Sequence, residues 1–90
     1  MRDVIYTTTF RKDYKRLSKT GQSGPVLLQE VVALLANDLP LAARNHDHAL
    51  SGNWGGFREC HIKPDFLLIY RLEPGELILV RCGSHSELFG

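Results

Sequence analysis

Two apolar runs, Phe66-Leu67-Leu68-Ile69-Tyr70 and Leu77-Ile78-Leu79-Val80, stand on either side of Glu73-Pro74-Gly75. Apolar residues at both parities of a strand need cover on both faces of the sheet. A turn this short makes the two strands, read as Phe66–Leu72 and Glu76–Cys82, antiparallel neighbours. A third strand, Phe57–Ile62, leads into them through Pro64-Asp65. The chain must therefore build an antiparallel sheet and shield both of its sides.

The shield lies upstream. Residues 3–7 form a short strand, and Thr7, Thr8 and Thr9 offer N-cap hydroxyls to a helix that follows. Phe10, Tyr14 and Leu17 recur at helical spacing as one apolar stripe. Arg11, Lys15 and Lys19 run down another face, and Gly21 suits the residue just beyond the helix end. Ser23-Gly24-Pro25 restarts a helix over about residues 25–37, apolar around most of its circumference, until Leu39-Pro40 stops it. The order is β-α-α-β-β-β: an α+β fold with two helices packed on a twisted, mainly antiparallel sheet.

Ninety residues suit one domain spanning 1–90, with a small core. The hydrophobic fraction of 43% is too high for disorder. No run approaches the roughly 20 apolar residues that cross a bilayer, so no membrane partner is expected. Met1-Arg2-Asp3-Val4-Ile5-Tyr6 lacks the apolar stretch of a secretory signal, which makes a cytoplasmic location the expectation. Cys60 and Cys82 fall within strands and are expected to pack as small reduced hydrophobes. Net charge is +1, yet residues 1–20 hold Arg2, Arg11, Lys12, Lys15, Arg16 and Lys19 against Asp3 and Asp13. Such a patch suits a polyanion, an acidic partner protein, or a solvated helix face.

The chemistry lies in the other half. His46, His48, His61 and His85 are the only histidines, and Trp54, the only tryptophan, stands among them. Imidazole can take and give a proton near neutrality. Two of the histidines lie in residues 39–56, which carry no helical or strand period. A loop this long in a compact domain is usually functional. His61 and Asp65 flank a tight turn, close enough for the carboxylate to orient the ring or act as a separate base. Arg81 offers a planar fork suited to phosphate, and Gly83 permits close backbone approach beside His85. Trp54 is either a plug over the core or a stacking surface. Phe89 either folds back on the sheet or meets a ligand. Together these groups could cleave RNA: a base frees the ribose 2′-OH to attack phosphorus, cations hold the phosphorane, and an acid protonates the departing 5′-oxygen. The nucleophile is internal to the substrate, so this chemistry needs no metal.

The run His48-x-Leu50-x-Gly52-x-Trp54-x-Gly56-x-Arg58-Glu59-x-His61-Ile62-x-Pro64-Asp65-Phe66-Leu67-Leu68-Ile69-Tyr70, and the ending Arg81-x-Gly83-Ser84-His85-Ser86-Glu87-Leu88-Phe89, resemble the YafQ branch of the RelE/ParE toxins. These are the toxins of bacterial type II toxin–antitoxin pairs, and the resemblance covers almost the whole chain. It implies a RelE-like fold with the same element order. It also implies a ribosome-dependent endonuclease that cuts mRNA in the A site, needs no metal or other cofactor, and is inhibited by a cognate antitoxin. The implied catalytic set is His48, His61, Asp65, His85 and Phe89. In it His85 is the general acid, His48, His61 and Asp65 share base and phosphorane-binding duties, and Phe89 positions a base. Arg81 is the implied phosphate contact. Phe66, where the family often has tryptophan, and Trp54 are further candidates to meet substrate. His46 falls outside the pattern and reads as a loop histidine. Two other functions compete. A ParE-like inhibitor of DNA gyrase needs no histidine set, and His46, His48, His61 and His85 could instead hold a metal.

Overall fold

The computed structural model describes residues 1–18 and 24–90. Lys19, Gly21 and Ser23, read above as part of a basic stripe, a helix stop and a helix start, lie outside the described residues. The first strand, β1, covers Asp3–Tyr6, and helix α1 runs Thr8–Ser18. Thr7 caps α1, its Oγ1 accepting from the Phe10 N–H at 3.2 Å and donating to the Leu79 carbonyl at 2.8 Å. The cap therefore also ties the helix to the sheet. Helix α2, Gly24–Ala36, begins where a glycine is needed for space, because a Cβ on Gly24 would stand 3.0 Å from the Phe66 ring.

Segment 39–56 has more structure than its sequence suggests. It contains a 3-10 turn at Ala43–Asn45, a two-residue strand β2 at His48–Ala49 and a second 3-10 turn at Gly52–Trp54. Three long strands follow: β3 at Arg58–Lys63, β4 at Phe66–Glu73 and β5 at Glu76–Gly83. A short helix α3, His85–Phe89, ends the chain. The sheet order is β1-β5-β4-β3-β2, with only β1 and β5 parallel. The expected α+β architecture holds, with a fifth strand and a third helix added.

Both faces of the sheet are covered, as the apolar runs require. Phe10, Leu28, Val32 and Leu35 from the two long helices meet Cys60, Leu68, Tyr70, Leu77 and Cys82 on one face. On the other, Leu67 and Ile69 are buried with Leu88 of α3, and Leu50, Trp54, Phe57 and Val80 pack around them. Cys60 and Cys82 both pair with Leu68, so they sit two strand spacings apart, roughly 10 Å. That exceeds the reach of a disulfide. Burial pushes both thiols up to about 12, which keeps them as unreactive core groups. Among the described residues, no helix is long and apolar enough to cross a membrane.

Candidate active site

Side-chain alternation along β3 sends Cys60 and Ile62 into the main core, so Glu59 and His61 face the second side of the sheet. β2 lies beside β3 with His48 opposite Glu59. The loop carrying β2 is held by side chains. Tyr70 Oη donates to Asp47 at 2.5 Å, Arg58 Nε donates to Tyr70 Oη at 3.2 Å, and Arg58 meets Asp47 again at 3.4 Å. Burial and the Asp47 contact push the Tyr70 hydroxyl well above its ordinary pKa, so it stays a donor. Buried Asn45 donates from Nδ2 to the His61 carbonyl at 2.7 Å, locking the first 3-10 turn against β3. The same arrangement brings the His46 ring to 5.2 Å from that of His61.

His85 is placed by its helix. Ser84 and Glu87 form a reciprocal capping box at the start of α3, and Glu87 also meets Arg16 of α1 at 3.1 Å. The Ser84 N–H holds the Glu87 carboxyl below its usual range. Gly83, at φ +152, makes the turn possible, since a Cβ there would approach the Glu87 carboxylate to 2.9 Å. With its backbone so fixed, His85 gives two donors to one acceptor. Its N–H lies 3.0 Å, and its ring Nδ1 2.8 Å, from Asp65 Oδ1. The backbone hydrogen bond first and the ring second hold the Asp65 carboxyl below its ordinary value. A carboxylate facing Nδ1 puts a proton on that nitrogen. Nε2 is then the free position, a base in the neutral ring and an acid in the imidazolium.

The rings form a continuous group. His61 meets His85 edge-on at 5.7 Å. Nε2 of His61 and of His48 lie 3.6 and 3.5 Å from the same oxygen of Glu59, and the His48 Nδ1–H donates to the His46 carbonyl at 2.6 Å. Glu59 is only 5% exposed, and these two imidazoles are its ion-pair partners among the described residues. At the far side Phe89, 44% exposed, meets Trp54 edge-on at 6.1 Å, and Trp54 meets Phe57 at 5.5 Å.

His48, His61, Asp65 and His85 are thus brought together, with Trp54 and Phe89 paired as a half-buried aromatic wall. Three expectations need correction. Of the two roles the sequence offers Asp65, orienting His61 or acting as a separate base, the first falls to a different ring, because its carboxylate accepts from His85, where α3 offers a backbone and a ring donor together. Phe66 is 7% exposed and packs on Gly24 in the main core, on the other side of the sheet, so its ring is not free to stack. Arg81 gives its fork to Asp13, with Nε and Nη2 at 2.7 and 3.2 Å. Asp13, 3% exposed, also accepts from the Cys82 N–H at 3.2 Å, on the length of β5 that extends beyond β1. Burial opposes its charge, but Arg81 and the Cys82 N–H outweigh it and hold the carboxyl low.

Glu59 is not among the sequence candidates, and His46, which the sequence offers only as a loop histidine or a metal ligand, lies beside His61. Strand parity could have found Glu59, two residues before His61 and on the same face. His46 carried no such signal, because a turn with positive φ at His46 brings it back to β3. Among the described residues, no group of three or more His, Cys, Asp or Glu side chains is placed to hold a metal ion.

Comparison with known proteins gives a consistent answer. Residues 2–90 match the family described as the bacterial toxin of type II toxin–antitoxin systems, YafQ. The Escherichia coli mRNA interferase toxin YafQ is 39% identical over 89 residues, which is 99% of this chain and 97% of that protein. A copper-bound mutant toxin from Helicobacter pylori superposes with a TM-score of 0.93 at 46% identity, covering 99% of this chain and all of that one. The toxin chain in the Escherichia coli DinJ–YafQ complex gives 0.90 at 40% identity, with both chains fully covered. By sequence over nearly its whole length and by fold, this chain belongs to the YafQ family of type II toxins.

Proposed function

We propose that this chain is an mRNA interferase, an endoribonuclease that cuts message held in the ribosomal A site and is silenced by a cognate antitoxin. The observation that carries the reading is the His85–Asp65 contact at 2.8 Å, with the His61 ring 5.7 Å from that of His85. One imidazole is tied at Nδ1 and free at Nε2, and a second stands beside it. This is what paired proton transfers across a single phosphodiester require. The relative named an mRNA interferase and the relative seen in complex with DinJ support the activity and the antitoxin.

In this reading His61, backed by Glu59, takes the proton from the ribose 2′-OH. The 2′-oxygen bonds to phosphorus, the bond to the 5′-oxygen breaks, and His85 Nε2–H supplies the proton that oxygen needs. Each transfer is worth about 10²–10⁴ in rate. Asp65 accepts two hydrogen bonds from His85, so it orients that ring and keeps a proton on Nδ1. His48 is placed to donate a hydrogen bond to the phosphorane. Phe89, against Trp54, stacks on a base beside the cut.

The products distinguish this chemistry from others. Message on programmed ribosomes, treated with the purified chain, should yield 2′,3′-cyclic phosphate and 5′-hydroxyl ends, read by mass spectrometry of the fragments. Ends bearing a 3′-hydroxyl and a 5′-phosphate would rule out attack by the 2′-OH. Intact message with broken DNA in growing cells would instead indicate a ParE-like gyrase inhibitor.

A further inference from the structure

Of the arginines outside α1, Arg2, Arg58, Arg71 and Arg81 each hold a carboxylate. Arg44 does not. It is the middle residue of the 3-10 turn Ala43–Asn45 and is exposed, and Lys63 follows the irregularity that interrupts the pairing of β3 with β4. Neither cation has an ion-pair partner among the described residues. Both line one shallow depression of about 280 Å³, whose other walls are His46, His61, Ile62 and Pro64. The turn bearing Arg44 is held in place by the hydrogen bond from buried Asn45 to the His61 carbonyl. One wall of this depression, His61, is the ring that touches His85.

We infer that this depression is a phosphate subsite. It would hold a backbone phosphate of single-stranded RNA next to the scissile linkage, between Arg44 and Lys63, with His46 as a third donor. The inference rests on the endoribonuclease reading, which it deepens by naming the residues that seat the strand. The chemistry matches. A guanidinium fork and an ammonium, both charged at every working pH, meet an anion that carries a permanent charge. Pro64, exposed at the turn, offers apolar contact to a sugar face. Arg81, the cation expected for this task, is committed to Asp13, so the charge needed beside the imidazoles comes from the loop and the strand end instead. Phosphate contacts of this kind position a strand without reading its sequence.

The test is the binding of a short single-stranded RNA, made uncleavable by 2′-O-methyl groups, to the wild type and to the double variant Arg44→Ala/Lys63→Ala. Fluorescence anisotropy would be recorded across a salt series. Arg44 is exposed, Lys63 is half-buried, and neither has an ion-pair partner among the described residues, so the variant should melt close to the wild type. Loss of one phosphate contact should weaken binding about ten-fold at low salt and flatten the log–log salt slope by about 0.7. Restoring charge with Arg44→Lys in a Lys63 background should recover most of that. Equal affinity and equal slope for wild type and double variant would overturn the subsite. So would unchanged RNA binding combined with weaker antitoxin binding, which would assign these cations to an acidic partner protein. Binding needs no cleavage, so a chain that bound RNA through Arg44 and Lys63 yet cut no message on programmed ribosomes would refute the nuclease and leave the subsite standing.

Discussion

Asp65 decides what His85 can do. It is exposed, so its contact with the ring adds little to stability, and its effect lies in orientation and proton placement. An amide in its place could still accept from the backbone N–H but would no longer hold the ring by a charge-assisted hydrogen bond. Asp65→Asn is therefore expected to lower the cleavage rate about 10- to 100-fold while shifting stability by less than about 0.5 kcal/mol. Parallel measurement of kcat and of the melting curve checks this. Loss of activity through unfolding would contradict it. The residue scale is also where the sequence was hardest to read. A His-x3-Asp spacing across a turn suggested a pair, yet it held no information about a helix starting twenty residues later with two donors for the same oxygen. Glu59 was legible by parity. His46 was not, because its position depends on a left-handed backbone that no local pattern announces.

At the scale of elements, the long strands and both long helices follow from periodicity, turn residues and the threonine cap. β2 does not, because two residues set no period and only the Tyr70–Asp47–Arg58 contacts and the pairing with β3 define it. α3 had its signature in plain view, since Ser84-x-x-Glu87 is a capping box, but five residues make no helical stripe. The tie between α1 and β5 rests on a buried carboxylate. Asp13 is almost fully buried and Arg81 only partly exposed, so Asp13→Asn should cost about 2–3 kcal/mol by leaving a guanidinium and the Cys82 N–H poorly matched. The sign with pH follows from the lowered carboxyl. Its stabilisation is complete above the unfolded value of about 3.9 and is lost as pH falls through the lower folded value. Melting temperatures of wild type and Asp13→Asn should therefore converge in acid and stay apart at neutrality. A constant gap down to the lowest pH would show that Asp13 acts by packing alone.

For the whole molecule, the apolar runs in β4 and β5 divide the labour. One face of the sheet takes two helices and makes the main core. The other takes a short helix and an aromatic pair, and leaves room at its edge for a row of imidazoles. That arrangement explains why the site draws on a loop, a strand, a turn and the last helix, and why Phe66, one residue from Asp65, serves the core instead. The claim on which all of this turns is that His85 moves the proton that lets the strand break. Primer-extension mapping of one message, translated and untranslated, with wild type and His85→Ala, tests it most directly. The account predicts discrete stops with wild type on the translated message alone, and none with a His85→Ala protein that melts at the wild-type temperature. Stops of equal strength from His85→Ala would contradict it.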